Sequence, residues 1–186
     1  TSRVTRSANS PPRDGVGRTG KVVELEGSKV LQFFDPPTGL PRATAFMGPD
    51  FYSNYTIQAD LRGSRKGRKL SDLGLVNGGY TLDLQGAHQR LQLSSWISEL
   101  RMAQQVAFAW EPDTWYTMKL RVEVVDDGKG GRKGSIRGKV WKRGDAEPAE
   151  WTLSAEDPLP IDHGTPGVYA FSPVDGFVDN LLVTPN

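Results

Sequence analysis

Two tryptophans stand where the flanking side chains are charged or carry amides. Trp96 ends an alternating segment at 90–96, and Trp141 ends another at 135–141. Successive side chains of a strand point to opposite faces, so the leucines and valines of these segments face a core while the polar residues face outward. The outward residues predicted to accompany the tryptophans are Arg90, Gln92, Asp83, Arg121 and Glu123.

This combination of side chains suits the recognition of sugars. An indole ring offers a large apolar area to one face of a pyranose, and charged and amide groups around it can hydrogen-bond the hydroxyls. We therefore predict a glycan-binding surface around Trp96 and Trp141. The alternative is that both rings cover a sheet surface or pack against a neighbouring domain upstream of Thr1, since single aromatic residues on polar faces are common.

Residue types that commonly perform catalysis are scarce. The chain has no cysteine and two histidines, His88 and His163, which lie too far apart in sequence to form a metal-ligand motif. No serine stands in the pattern of a nucleophile elbow. We predict no catalytic residue from these types, although an enzyme remains an alternative.

The composition is that of a globular domain. Of 186 residues, 37% are hydrophobic and 24% are charged, and 21 glycines with 13 prolines favour short strands joined by turns. The formal net charge of +1 argues against nucleic-acid binding, which usually requires a basic excess. No apolar run reaches the ~18 residues typical of a membrane span.

Alternation of apolar and polar residues predicts strands through most of the chain. The predicted segments are 21–25, 29–34, 55–61, 80–85, 90–96, 115–125, 135–141, 167–171 and 177–183. Short glycine-containing loops join two of the pairs into hairpins, and 97–108 shows a weak helical pattern that an irregular strand fits equally well. We predict an all-β, two-sheet antiparallel β-sandwich or jelly roll over 21–186, preceded by a linker or flexible arm over 1–20.

Several segments resemble concanavalin A-like and laminin G-like domains. The matching motifs are Trp115-Tyr-Thr-Met-Lys-Leu-Arg-Val122, Ile136-Arg-Gly-Lys-Val-Trp141, Gly164-Thr-Pro-Gly-Val-Tyr-Ala170, Gly176-Phe-Val-Asp-Asn-Leu-Leu-Val183 and Asn54-Tyr-Thr-Ile-Gln-Ala-Asp60. The resemblance implies a concanavalin A-like sandwich, and many members bind calcium on the convex side. Asp179 is the candidate ligand, although one carboxylate is far short of the six to eight oxygens that Ca²⁺ takes.

A narrower resemblance is to the C-terminal sandwich module of bacterial pyrroloquinoline-quinone-type propeller proteins. It depends on Pro41-Arg-Ala-Thr-Ala-Phe-Met-Gly48, followed by Asn54-Tyr-Thr and Tyr80-Thr-Leu-Asp83. The resemblance implies a noncatalytic carbohydrate-binding or adhesion-type module of an exported, extracytoplasmic multidomain protein. A structural module that packs on a propeller is the alternative. Quinone binding is not implied, because that chemistry belongs to the propeller.

The resemblance to concanavalin A-like sandwiches also implies glycoside hydrolysis as an alternative activity. Glucanases of this fold place two carboxylates on one strand face in a Glu-x-Asp-x-x-Glu string, which this sequence lacks. The chain also resembles bacterial 3-keto-disaccharide hydrolases, but Thr81 and Asp83 stand where that family usually has Glu followed by Gln. A hydrolase that uses Asp83 with Glu123 remains the enzymatic alternative.

Overall fold

A computed structural model describes residues 20–35, 41–95 and 102–186. Within them, two antiparallel sheets form a sandwich. The seven-stranded sheet contains, in spatial order, β1 (Gly20–Leu25), β2 (Ser28–Phe33), β15 (Gly176–Pro185), β4 (Tyr55–Gly63), β11 (Trp115–Asp126), β12 (Arg132–Lys142) and β13 (Leu153–Asp157). The six-stranded sheet contains β10 (Ala103–Ala107), β9 (Arg90–Ser95), β8 (Tyr80–Gln85), β7 (Asp72–Asn77), β14 (Pro166–Phe171) and β3 (Arg42–Phe46). A small hairpin, β5 (Arg65–Lys66) with β6 (Lys69–Leu70), extends from the end of β4.

The core lies between the two sheets and is made by alternate residues of their strands. Leu82 and Leu93 form a directly opposed pair from β8 and β9, and both are fully buried. Met118 and Leu120 of β11, in the seven-stranded sheet, belong to the same core and approach it from the opposite side. Burial of such apolar side chains contributes roughly 25 cal/mol per Å² removed from water, which makes the in–out alternation of each strand decisive.

The predicted sandwich is confirmed, and so are its two hairpins. The strands β8 and β9 pair around the turn at 86–89, and β11 pairs with β12 around the loop at 127–131. The pattern at 97–108 left a helix and an irregular strand open, and residues 103–107 form the edge strand β10. Residues 97–101 of that segment and 1–19 of the predicted arm lie outside the described residues, and Gly20, the last residue of that arm, begins β1.

Besides β10 and the two-residue strands β5 and β6, three strands were not predicted, and the reasons are local. Five of the six residues of β7 are buried, because this strand is central in its sheet and is covered on both faces. It therefore lacks the polar alternation of a half-exposed strand. The edge strands β3 and β13 are short, and β3 is rich in alanine, a weak strand former. No helix in the described part of the chain is long and apolar enough to span a membrane.

Candidate functional site

The structure divides the predicted ligand residues between the two outer surfaces of the sandwich. We call the outer surface of the six-stranded sheet the six-stranded face and that of the other sheet the seven-stranded face. The six-stranded face carries Asp83, Arg90 and Gln92. The seven-stranded face carries Arg121, Glu123 and Trp141. Trp96 lies outside the described residues.

Alternation along a strand shows which residues face outward but not from which sheet they do so. The single surface predicted for the ligand residues is therefore corrected to two separate surfaces for those that the structure describes, and the placement of Trp96 stays a prediction. Stacked sheets lie about 10 Å apart even before their outward side chains are counted. A pair made of Asp83 and Glu123 could not act on one glycosidic bond, so the hydrolase based on that pair is excluded.

On the six-stranded face, strand register aligns polar residues into two neighbouring rows. One row crosses the sheet through Gln105, Gln92, Asp83, Gly74, Tyr169 and Thr44. The next is formed by Ala107, Arg90 and Gln85, then by Asp72, Phe171 and Arg42. The backbone N–H of Gly86 donates to Asp72 Oδ1 over 2.7 Å and joins the two parts of this second row.

Gly74 stands between Asp83 and Tyr169 in the first row, so no side chain separates these two residues there. A Cβ at that glycine would stand 2.5 Å from the carbonyl oxygen of Leu82, so no larger residue fits without a backbone shift. Two interstrand spacings, about 10 Å, separate the flanking backbones. The Asp83 carboxyl group and the Tyr169 phenol therefore lie on either side of the Gly74 backbone.

Asp83 is linked to the second row by a chain of side-chain hydrogen bonds. Arg90 Nε donates to Gln85 Oε1 over 2.6 Å, and Gln85 Nε2 donates to Asp83 Oδ2 over 3.0 Å. The other carboxyl oxygen, Asp83 Oδ1, is buried and has no hydrogen-bond partner within the described ranges. The hydroxyl of Thr81, two residues earlier on the same face, is in the same condition. Buried polar atoms without a partner are uncommon in native structures, and the Nε atoms of Arg62, Arg121 and Arg137 on the seven-stranded face are in the same condition.

Burial raises the pKa of Asp83 to about 7, and the negative charge of nearby Asp72 acts in the same direction. The hydrogen bond from Gln85 and the positive charges of Arg42 and Arg90 oppose that shift only in part. Asp83 can therefore exist as either acid or carboxylate near neutral pH.

Two further groups on this face have altered acidity. Burial raises the pKa of Asp72, against the hydrogen bond from Gly86. Burial, followed by the negative charge of Asp83, raises the pKa of the Tyr169 phenol to about 12, while Arg42 acts in the opposite direction. Tyr169 is therefore a neutral hydrogen-bond donor at physiological pH.

The arginines of the six-stranded face have no carboxylate partner among residues 20–35, 41–95 and 102–186. The guanidinium carbon of Arg42 lies 5.5 Å from the centre of the Phe171 ring, and Arg90 is held by the neutral amide of Gln85. Arg42 also hydrogen-bonds the Tyr169 phenol, and neither guanidinium group forms an ion pair with a described carboxylate.

The seven-stranded face presents the opposite picture, since its charged groups are paired. Arg121 and Arg137 are directly opposed across β11 and β12, and Glu123 forms an ion pair with both. These hydrogen bonds, the one from Arg121 first, lower the pKa of Glu123. Lys119 and Lys139 both bind Glu147 at 2.6 and 2.8 Å.

The tryptophans of this face pack against those same cations. The Lys139 ammonium lies 4.7 Å from the centre of the Trp151 ring and 6.0 Å from that of Trp141, and Lys119 lies 5.8 Å from Trp141. Cation–π contacts of this length stabilise a folded surface. The sequence indicates no partner for Trp151. In the structure its ring contacts Lys139 and also Arg137, whose guanidinium carbon lies 5.7 Å from the ring centre.

Asp179 lies on β15 at a bulge in its pairing with β4. Its Oδ1 accepts from Ser28 Oγ at 3.2 Å and from the backbone N–H of Asn180 at 2.8 Å. Within the described residues, no group of three or more His, Cys, Asp or Glu side chains is arranged to hold a metal ion. Calcium at Asp179 stays a prediction.

Sequence reasoning missed four side chains of the six-stranded face. They are Arg42, Asp72, Gln85 and Tyr169. Gln85 and Tyr169 lie on predicted strands, and the outward parity of Gln85 was visible there. Arg42 and Asp72 lie on β3 and β7, which were not predicted, and nothing in local spacing brings 42 and 169 to neighbouring strands.

Comparisons with known proteins support the fold. The chain is similar to a protein of unknown function with a galectin-like fold from Bacillus subtilis, with TM-score 0.60 and 12% identity over 89% of this chain and 86% of that one. A carbohydrate-binding module from Bacillus subtilis has TM-score 0.58 and 12% identity over 88% and 91% of the two chains. An alginate lyase from Aplysia kurodai has TM-score 0.58 and 11% identity over 90% and 87%. No family model and no curated protein matches the sequence.

Identities this low show the fold alone. They confirm a sandwich of the concanavalin A-like class, in which galectin-like proteins, binding modules and lyases all occur. The narrower resemblance to propeller-associated modules is not confirmed and stays a prediction.

Proposed function

We propose that this protein is a carbohydrate-binding β-sandwich module whose glycan lies across the six-stranded face. One observation supports this above all others. Within the described ranges the charged groups of this face form no ion pairs, whereas Glu123 and Glu147 of the seven-stranded face are each paired with two cations. Groups that stay unpaired in the free protein can exchange water for a ligand at low cost.

The chemistry of the face fits a sugar. Asp83, Gln92 and Gln85 offer acceptors and donors to hydroxyl groups, and the neutral phenol of Tyr169 offers one more donor. Phe171 and the 46%-exposed Phe46 supply apolar area on the same face. A carbohydrate-binding module is among the proteins with a similar fold, in agreement with this proposal.

The test compares two matched glutamines on opposite surfaces. Gln92 of β9 and Gln58 of β4 are both partly exposed and face outward from different sheets. Binding to a glycan array identifies ligands, and titration calorimetry then measures affinity. We expect Gln92→Ala to weaken binding about five- to tenfold, the effect of losing one or two hydrogen bonds. Gln58→Ala should leave affinity unchanged. Equal effects from both variants, or no glycan bound at all, would contradict the proposal.

A second candidate function is cleavage of a glycan on the same face. The observation that favours it is Asp83, with a pKa of about 7 and the second carboxyl of Asp72 on the adjacent strand. Such a group can accept and return a proton at neutral pH. Turnover of an oligosaccharide panel that disappears in Asp83→Asn, with binding retained, would establish an enzyme. Intact oligosaccharides after long incubation would leave binding alone.

We further propose that the module belongs to a larger exported bacterial protein. The support is the sequence resemblance of residues 41–48 and 80–83 to propeller-associated sandwich modules. The full coding sequence and fractionation of the native protein test this proposal. A cytoplasmic protein without a further domain would contradict it.

A further inference from the structure

The two arginines of the six-stranded face lie at opposite ends of one row. Register runs from Arg90 through Gln85 on β8 and then from Asp72 through Phe171 to Arg42. Four interstrand steps separate β9 from β3, which corresponds to about 19 Å between the two backbones. Both guanidinium groups lack a carboxylate partner in the described part of the chain.

The carboxyl groups between these arginines do not neutralise them. Asp72 Oδ1 accepts the backbone N–H of Gly86, which anchors it to the turn between β8 and β9. Asp83 accepts from the neutral amide of Gln85 and keeps its other oxygen unpartnered among the described residues. Two separated positive charges therefore flank a central carboxyl group that is free of ion pairs. A guanidinium group binds carboxylates in a bidentate geometry and makes strong, charge-assisted hydrogen bonds with them.

We propose that this face binds an acidic polysaccharide, with uronate carboxylates received by Arg42 and Arg90 and with Asp83 in the bound state as its neutral acid. The proposal rests on the proposed function, since it names the class of glycan for the same site. The ~19 Å separation is too long for one carboxylate to reach both arginines. The ligand must therefore be a chain of several sugars that presents carboxylates at two points.

Protonation of Asp83 makes the affinity for an acidic glycan depend on pH. The groups that face it are Gln92 and Arg90 on β9, Gln85 on its own strand, Asp72 on β7, Tyr169 on β14 and Arg42 on β3. An anionic ligand repels the carboxylate form and accepts a hydrogen bond from the acid form. The pKa of about 7 means that this conversion falls in the physiological range. Affinity for an acidic chain should therefore increase as pH falls from 8 to 6.

The experiment measures affinity for hexamers of galacturonate, glucuronate and guluronate, each beside its carboxyl-reduced, neutral counterpart, at pH 6 and pH 8. We expect at least one uronate hexamer to bind ten times more tightly than its neutral counterpart, and more tightly at pH 6. Arg42→Gln and Arg90→Gln should each reduce its affinity at least tenfold. Arg132→Gln, on an exposed loop end of β12, is the control for a general loss of positive charge and should bind as the unmodified protein does.

One further variant and the comparison between acidic and neutral hexamers complete the experiment. Asp83→Asn should remove the pH dependence, since an amide donates a hydrogen bond at every pH in this range. The comparison of acidic with neutral hexamers needs no variant, so an unfolded variant does not prevent a decision. Neutral hexamers bound as tightly as acidic ones would overturn this inference and leave glycan binding intact. Failure of every hexamer to bind would overturn this inference, while the glycan array separately decides the proposed function.

Discussion

The two outer faces of this sandwich carry similar residue types but use them differently. On the seven-stranded face, Glu123 lies between Arg121 and Arg137, and Lys139 lies between Glu147 and two tryptophan rings. On the six-stranded face, Asp83 and both arginines have no ion-pair partner within the described chain. The pairing stabilises the seven-stranded face, whereas the unpaired groups of the six-stranded face are those that the proposed ligand would contact. Residue composition alone does not distinguish a binding face from a packed one.

The largest expected effect comes from removing the charge of Asp83. Its folded pKa of about 7 exceeds the ordinary 3.8, so the folded state loses stability as pH rises from about 4 to about 7, and the loss is complete above that. One pKa unit corresponds to about 1.4 kcal/mol. We expect Asp83→Asn to raise the free energy of unfolding by about 4 kcal/mol at pH 8 and to leave it unchanged at pH 4.

Chemical denaturation at both pH values measures this effect. Asp145→Asn, at an exposed turn after β12, is the matched control and should change stability by less than about 0.5 kcal/mol. A stabilisation by Asp83→Asn that is the same at pH 4 and pH 8 would show that burial of its charge is not the cause.

On the opposite face, removing a charge should destabilise. Lys139 is 5% exposed and donates to the carbonyl of Pro148 over 2.6 Å as well as to Glu147. Lys139→Met keeps the chain length but leaves those acceptors unpaired, so we expect a loss of about 2 kcal/mol with unchanged glycan affinity. Lys142→Met, on the same strand with its exposed partner Glu111, should not move the unfolding midpoint. Reduced glycan affinity in Lys139→Met would contradict the placement of the glycan on the six-stranded face alone.

A smaller effect is expected at Glu123. Its replacement by Gln leaves Arg121 and Arg137 directly opposed without a counter-charge, which should cost about 1 kcal/mol at low salt and less at high salt. Because the pKa of Glu123 is lowered, its contribution should also vanish as pH falls below the ordinary carboxyl range. Glu156→Gln, which affects a 65%-exposed partner of Lys133, is the control and should be neutral. Chemical denaturation at two salt concentrations measures this loss of stability. A loss that does not depend on salt would contradict the ion-pair explanation.

The smallest effect is expected at Trp141. Phenylalanine retains an aromatic face for Lys119 and Lys139 but with a weaker cation–π attraction, so Trp141→Phe should cost about 0.5 kcal/mol. Glycan affinity should not change, because Trp141 is on the seven-stranded face. A fall in affinity, measured by calorimetry, would return Trp141 to the ligand site and oppose the placement of the glycan on the other sheet.

The identity of the inward residues was predictable from the sequence. Leu82 and Leu84 alternate with Asp83, and Leu91 and Leu93 alternate with Gln92, so a strand period of two placed each set correctly. The β8–β9 hairpin was equally visible, because its two strands are adjacent in sequence and share a short turn. Half of the candidate site, Asp83 with Arg90 and Gln92, follows from this local information.

The other half depends on contacts between distant parts of the chain. Tyr169 meets Gly74 because β14 pairs with β7, almost a hundred residues earlier, and Arg42 joins them only through β3. The acidity of Asp83 likewise depends on burial and on Asp72, neither of which spacing along β8 reveals.

The sequence by itself determined that this protein is an all-β sandwich and which side of each regular strand faces the core, because hydrophobic alternation is a local property. Only the tertiary structure decided which outward residues share a surface. That decision separated Asp83 from Glu123 and Trp141, and it joined Asp83 to Arg42 and Tyr169. The physical reason is that strand order and sheet membership are set by long-range pairing and packing, which leave no periodic signal in the chain.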